Sequence, residues 1–153
     1  MPMFILRSFM PAIIVFVIVT ILLCLPGHTL PSTGGNWFQL YQVDKIIHVC
    51  LFASLVYSFS KPIQLKGILN AVIIYIYKLI AIIGIVYGII IELVQKYLIA
   101  GRSFDGWDIL ADAIGCYIGY RIATYMLTKQ KPPSISSLLD EAKEKAKQYI
   151  PKA

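Results

Sequence analysis

Eight side chains in this 153-residue chain are equipped for polar chemistry, and they fall into three groups: Asp44, Lys45 and His48; Glu92 and Gln95; Arg102, Asp108 and Asp112. Asp44 and His48 are four residues apart, Glu92 and Gln95 three, and Asp108 and Asp112 four. On a helix, each pair shares a face. An imidazole changes charge near neutral pH, so His48 is a candidate general acid or base, with Glu92 or Asp108 as its partner. Arg102 would stabilise a developing negative charge. The same residues also read as a ligand-binding set: Arg102 forks a phosphate or carboxylate. Glu92, Asp108 and Asp112 accept from hydroxyls or amines, and Gln95 orients them. Lys45 and Asp44 complete the set. A histidine among carboxylates suits a divalent cation, but the pattern assigns no metal ligand and no cofactor. There is no G-x-S-x-G nucleophile motif. Cys24, Cys50 and Cys116 lie in apolar segments without C-x-x-C spacing, as small packing residues would.

The elements carrying these groups are unusually apolar. The chain is 58% hydrophobic and 14% charged, with a mean hydropathy of +0.74. A soluble domain carries roughly 25% charged residues. Hydrophobic runs long enough to cross a bilayer explain the difference. The composition and run lengths imply an all-α fold, an integral membrane four-helix bundle. Its spans lie at about 4–25, 44–60, 78–98 and 107–127 within a membrane domain of residues 1–128. A basic tail occupies 129–153. The first span contains Pro11 and ends at Leu25-Pro26-Gly27. No A-x-A-like site follows it, and Ile21, Leu22 and Leu23 precede Cys24, so an uncleaved anchor is expected. The loop over 26–43 contains a solvated His28, and Trp37, Phe38 and Tyr41 mark the return to the headgroup layer. Lys61-Pro62 stops the second span. The stretch Ile68 to Leu98 is too long for one upright crossing. Lys78, Tyr75 and Tyr77 mark where it enters the membrane, so residues 68–77 either lie along the interface or extend the helix. In the tail, Ile135, Leu138, Leu139, Ala142, Ala146 and Tyr149 recur at helical spacing against Lys143, Lys145 and Lys147. This is a basic amphipathic helix suited to a membrane surface or a protein partner.

The net charge is +6, and the basic residues form no aromatic-interleaved stripe of the kind that binds nucleic acid. Their distribution is topological instead. With the N-terminus in the cytoplasm, eleven Lys and Arg residues lie inside, and only Lys45, Lys96 and Arg102 lie outside. Both termini are therefore expected to be cytoplasmic. The polar groups then gather at the outer ends of spans two, three and four. Glycines continue the same faces inward, with Gly84 and Gly88 in span three and Gly115 and Gly119 in span four. Such small-xxx-small stripes let helices approach closely in lipid, here spans three and four. Asp44, Lys45, Asp105 and Lys96 lie near span ends, where charges snorkel or meet a helix dipole. Glu92 and Asp112 lie a turn or more inside their spans and should face the bundle interior.

Three blocks resemble a known pattern: Asp44-Lys45-x-x-His48, Glu92-x-x-Gln95, and Arg102 followed by Asp108-Ile109-Leu110-Ala111-Asp112 with Gly115 and Gly119 beyond. In this order and spacing the chain looks like the VanZ-like family of small bacterial membrane proteins, over roughly residues 5–128. That pattern usually has Asn where this chain has Asp112, and the tail lies outside it. The resemblance implies a place in the bacterial cell envelope, in the cytoplasmic membrane. It also implies an association with low-level resistance to the glycopeptide teicoplanin, after which the family is known, but it supplies no reaction.

Three functions are compatible with these residues. The first is binding of an amphiphilic envelope component at the outer leaflet, a membrane lipid or a lipid-linked precursor. The second is a hydrolase or transferase acting on such a lipid. The third is an accessory subunit whose polar cluster joins helices and whose tail docks a protein partner. A transporter fits less well, because the halves do not repeat and the polar groups lie at one end instead of the midplane.

Overall fold

Apolar segments in lipid must satisfy their own backbone polar groups, and an uninterrupted helix does this within one segment. The computed structural model describes residues 2–25, 37–63, 70–99, 102, 104–129, 139–140 and 142–143. Four helices of more than 20 residues form among them: α1 (Pro2–Leu23), α2 (Trp37–Ser60), α3 (Asn70–Leu98) and α4 (Gly106–Lys129). A 3-10 turn at Lys61–Ile63 closes α2 where Pro62 removes a backbone donor. Among the described residues no strand is present.

Two boundaries refine the sequence reading. Helix α2 begins at Trp37, not near Asp44, so Asp44 lies about two turns inside it, beyond reach of the terminal helix dipole. Helix α3 begins at Asn70, so residues 70–77 extend the helix. The expected loop His28 lies outside the described residues. So does most of the tail helix, of which Leu139, Asp140, Ala142 and Lys143 are exposed.

Side-chain contacts give the helix directions. Lys45 and His48 of α2 meet Asp108 and Asp112 of α4, and Tyr57 reaches Met126, so α2 and α4 run parallel. Thr20 and Leu23 of α1 meet Tyr87 and Gln95 of α3, so these two also run parallel. Phe52 packs on Tyr87 and Val56 lies beside Gly84, so α2 and α3 are antiparallel. All eight polar residues are consequently carried by the same end of the bundle. Below them Val19, Leu23, Phe52, Leu55, Val56, Ala81, Ile91 and Cys116 form an apolar core. A second core of Ile73, Tyr77, Ala123 and Leu127 lies toward the opposite end.

The most extensive packing joins α2 to α4, which are not neighbours in the chain. Glycine makes it possible. A Cβ at Gly115 would stand 2.5 Å from the backbone oxygen of Val49, and one at Gly119 would stand 2.5 Å from that of Ala53. This corrects the expectation that all four glycines seat α3 on α4. Gly84 and Gly88 do face α4, against Cys116 and Asp112. Gly115 and Gly119 face α2 instead. Helix α4 is wedged between two partners: its own glycines face α2, and its Asp112 and Cys116 lie against the glycines of α3.

The partition of side chains is inverted relative to a soluble protein. His48, Glu92, Gln95, Asp108 and Asp112 are buried, whereas Ile14, Ile18, Ile21, Ile83, Val86 and Ile90 are exposed. So large an exposed apolar surface requires an apolar surrounding. By length and composition, Val43–Ile63 and Asn70–Leu98 suffice to cross a membrane, and both are largely unburied within the bundle.

Replacing Gly115 with Ala is expected to cost about 1–3 kcal/mol, because a backbone carbonyl cannot rotate aside. This overrides the ~1 kcal/mol that alanine gains over glycine in a helix. Thermal unfolding in detergent, followed by circular dichroism, checks this. Gly106→Ala, where nothing lies within 4 Å of the added carbon, is the control that should not lose stability.

Candidate functional site

Lys45 projects from α2 toward the start of α4. Its ammonium donates to Asp105 Oδ2 at 2.6 Å and to Asp108 Oδ1, with Asp44 Oδ2 4.0 Å away. One turn deeper, His48 Nδ1 lies 2.8 Å from Asp112 Oδ1. With Asp112 ionised, its oxygen accepts and Nδ1 carries the proton, which leaves Nε2 outside the pair. Asp105 starts α4 as its N-cap. Its Oδ1 accepts from the Trp107 amide at 2.9 Å, and its carbonyl accepts from the Asp108 amide at 3.1 Å. The Asp105 amide donates to Glu92 Oε1 at 2.6 Å, which ties the end of α3 to the same cap.

These contacts are electrostatically consequential. His48 and Asp112 are each 1% exposed and Asp108 4%. A buried charge without a partner costs several kcal/mol, so the residues must pair once the helices pack. Gly88 provides the space, since a Cβ there would lie 2.7 Å from Asp112 Oδ2. Asp112 therefore stands where α2, α3 and α4 meet.

The structure brings Asp44, Lys45, His48, Glu92, Asp108 and Asp112 together, but not every expected residue joins them. Gln95 Nε2 donates to the Leu23 carbonyl at 2.8 Å and so anchors the end of α1 instead of orienting a carboxylate. Arg102 forms no ion pair with the described residues, and its Nε is buried without a partner. The fork expected of it is thus not engaged with the acids. Asp105, set aside as a charge near a span end, is instead central. Its N-cap position immediately before Gly106-Trp107-Asp108 was the readable signal. The hydroxyl pair Thr20–Tyr87, at 2.8 Å, had no such signal, because it joins helices 67 residues apart.

Beside Lys45, on the outer surface of the α2–α4 pair, runs an apolar groove of about 380 Å³. Ile46 and Val49 line one wall, and Trp107, Leu110, Ala111 and Ile114 the other. Among the described residues that line it, the charged group is Lys45, which stands between the groove and the carboxylates.

A helical bundle with exposed apolar faces, two helices fit to span a bilayer and charges buried at one end defines a membrane protein. The sequence model of the VanZ/LLP1 family matches residues 4–128, and the chain belongs to that family. No curated protein and no solved structure matches the chain.

Lys45→Met leaves Asp105 and Asp108 facing each other without a cation. The Lys45 side chain is 18% exposed, and that of Asp108 is buried at 6%. A loss of about 3 kcal/mol is expected, in contrast to the ~0–1 kcal/mol of surface pairs. Adding Asp108→Asn should recover part of it. Chemical unfolding of the two variants in detergent measures both effects.

Proposed function

We propose that this protein is a four-pass membrane protein of the bacterial envelope that binds the head of an amphiphile at the outer face, such as a lipid-linked precursor. The observation that carries the reading is the apolar groove running up to Lys45 and the buried carboxylates behind it. The groove takes an acyl or prenyl chain, and the polar end meets the head group. Buried hydrogen-bonding groups beside an apolar wall are how small-ligand sites combine affinity with orientation. Because Lys45 is already held by Asp105 and Asp108, the carboxylates favour a head rich in hydroxyl or amine donors. Reduced susceptibility to teicoplanin is the phenotype that the family resemblance leads us to expect.

In this reading α1 and α4 also cross the bilayer, both termini are cytoplasmic, and the protein resides in the cytoplasmic membrane. The bias of Lys and Arg away from the polar end supports this orientation. The basic tail remains available for a membrane surface or protein partner.

A second reading has its own support. Lys45–Asp108 and His48–Asp112 join α2 to α4, so the cluster serves equally as interhelical glue in an accessory subunit. Binding and glue differ in what a groove-filling substitution does. Ile114→Trp occupies the groove without touching the ion pairs. Wild type and this variant, incubated in detergent with envelope lipid extract, should differ by a stoichiometric lipid seen by native mass spectrometry. Equal lipid retention, or none in either protein, overturns the binding reading. A product that accumulates with time in wild type replaces it with an enzyme.

A further inference from the structure

We propose that Asp44, His48 and Asp108 form a site for a divalent transition-metal cation, with Asp112 as the positioning residue. One donor atom from each of the three residues lies within 4.8 Å of the other two. The three come from two helices held together by the glycine contacts of α4, so packing fixes their spacing. Carboxylate oxygens alone would suit calcium or magnesium. An imidazole among them shifts preference toward zinc or iron.

The histidine is presented as a metal ligand should be. Its Nδ1 is engaged by Asp112 at 2.8 Å, which sets the tautomer and leaves Nε2 as the free donor. Metal-binding histidines are usually oriented by such a carboxylate on the other nitrogen. No hydrogen bond to Nε2 is formed by any described residue, although His48 is only 1% exposed.

A second, independent observation points to a cation at this end of the bundle. Glu92 is 1% exposed; its Oε1 takes the Asp105 amide, but its Oε2 is buried with no partner. Gly88, one turn before it, touches Asp112, so this face of α3 is turned to the cluster. The Glu92 carboxylate is within electrostatic reach of Asp108, His48 and Asp105. Among the described residues, the carboxylates of Asp44, Glu92, Asp105, Asp108 and Asp112 gather at the end of the bundle that also carries Lys45, His48 and Arg102. In a region of low dielectric a buried carboxylate oxygen without a partner favours a cation nearby. Lys45 competes with a metal for Asp108. Three protein ligands also leave coordination positions open, which distinguishes this set from a closed structural site.

The proposal does not depend on the lipid reading, and its test is separate. The protein is purified without a histidine tag, stripped with EDTA and equilibrated with Zn²⁺, and the retained metal is counted. The chain has two histidines, so His28→Ala controls for adventitious imidazole binding. Wild type and His28→Ala should each hold one equivalent. Asp44→Asn and His48→Gln should bind at least about tenfold more weakly, by analogy with the 10–100-fold losses at supporting residues. Asp44→Asn is the decisive variant, because Asp44 is one-third exposed and its ion pair is long at 4.0 Å, so folding does not depend on it. Lys45→Gln, compared at equal folded yield, should tighten Zn²⁺ by removing the charge that competes for Asp108. Substoichiometric retention by wild type overturns the proposal. So does Asp44→Asn binding as tightly as wild type at equal folded yield.

Discussion

The close approach of α2 and α4 is the constraint on which the rest depends. Two helices with exposed apolar faces gain little by simply touching in lipid, because the tails are as apolar as their side chains. What holds this pair is shape and charge together. Gly115 and Gly119 admit the backbone of α2 to near contact, and this proximity lets Lys45 and His48 reach Asp105, Asp108 and Asp112. Either feature alone would fail. Without the glycines the charges would be too far apart, and without the pairs the packing would bury uncompensated acids.

The other helices adjust to this pair. Helix α3 lies against α4 through Gly84 and Gly88, and its Glu92 binds the amide of the residue that caps α4. Helix α1 is attached more lightly, by Gln95 to the Leu23 carbonyl, by Thr20 to Tyr87 and by the stacking of Phe16 on Tyr87 at 5.2 Å. The bundle is therefore graded, from a charged, glycine-seated α2–α4 centre to a peripheral α1. Chemistry at the charged end would act on a rigid frame, because its residues come from helices and from the N-cap of one of them.

This grading also bears on how the cluster is to be understood. Charges snorkelling to a membrane surface would be exposed, whereas His48, Asp108 and Asp112 are buried between helices. Within the network Glu92 Oε2 is buried without a partner, so the pairing of these groups is not complete.

Much of this was legible in the residues themselves. Hydropathy and breakers such as Lys61-Pro62 located the helices, helical spacing showed which acids share a face, and the three blocks carried the family likeness. The spacing of residues on one helix is set by local geometry, so it can be read without neighbours. The choice of partner is not local. Only the packed structure decided that Gly115 and Gly119 face α2, that Gln95 serves α1, that Arg102 stays apart and that Asp105 joins the cluster. Those outcomes depend on satisfying every buried donor, acceptor and charge of four helices at once, and no single segment contains that condition.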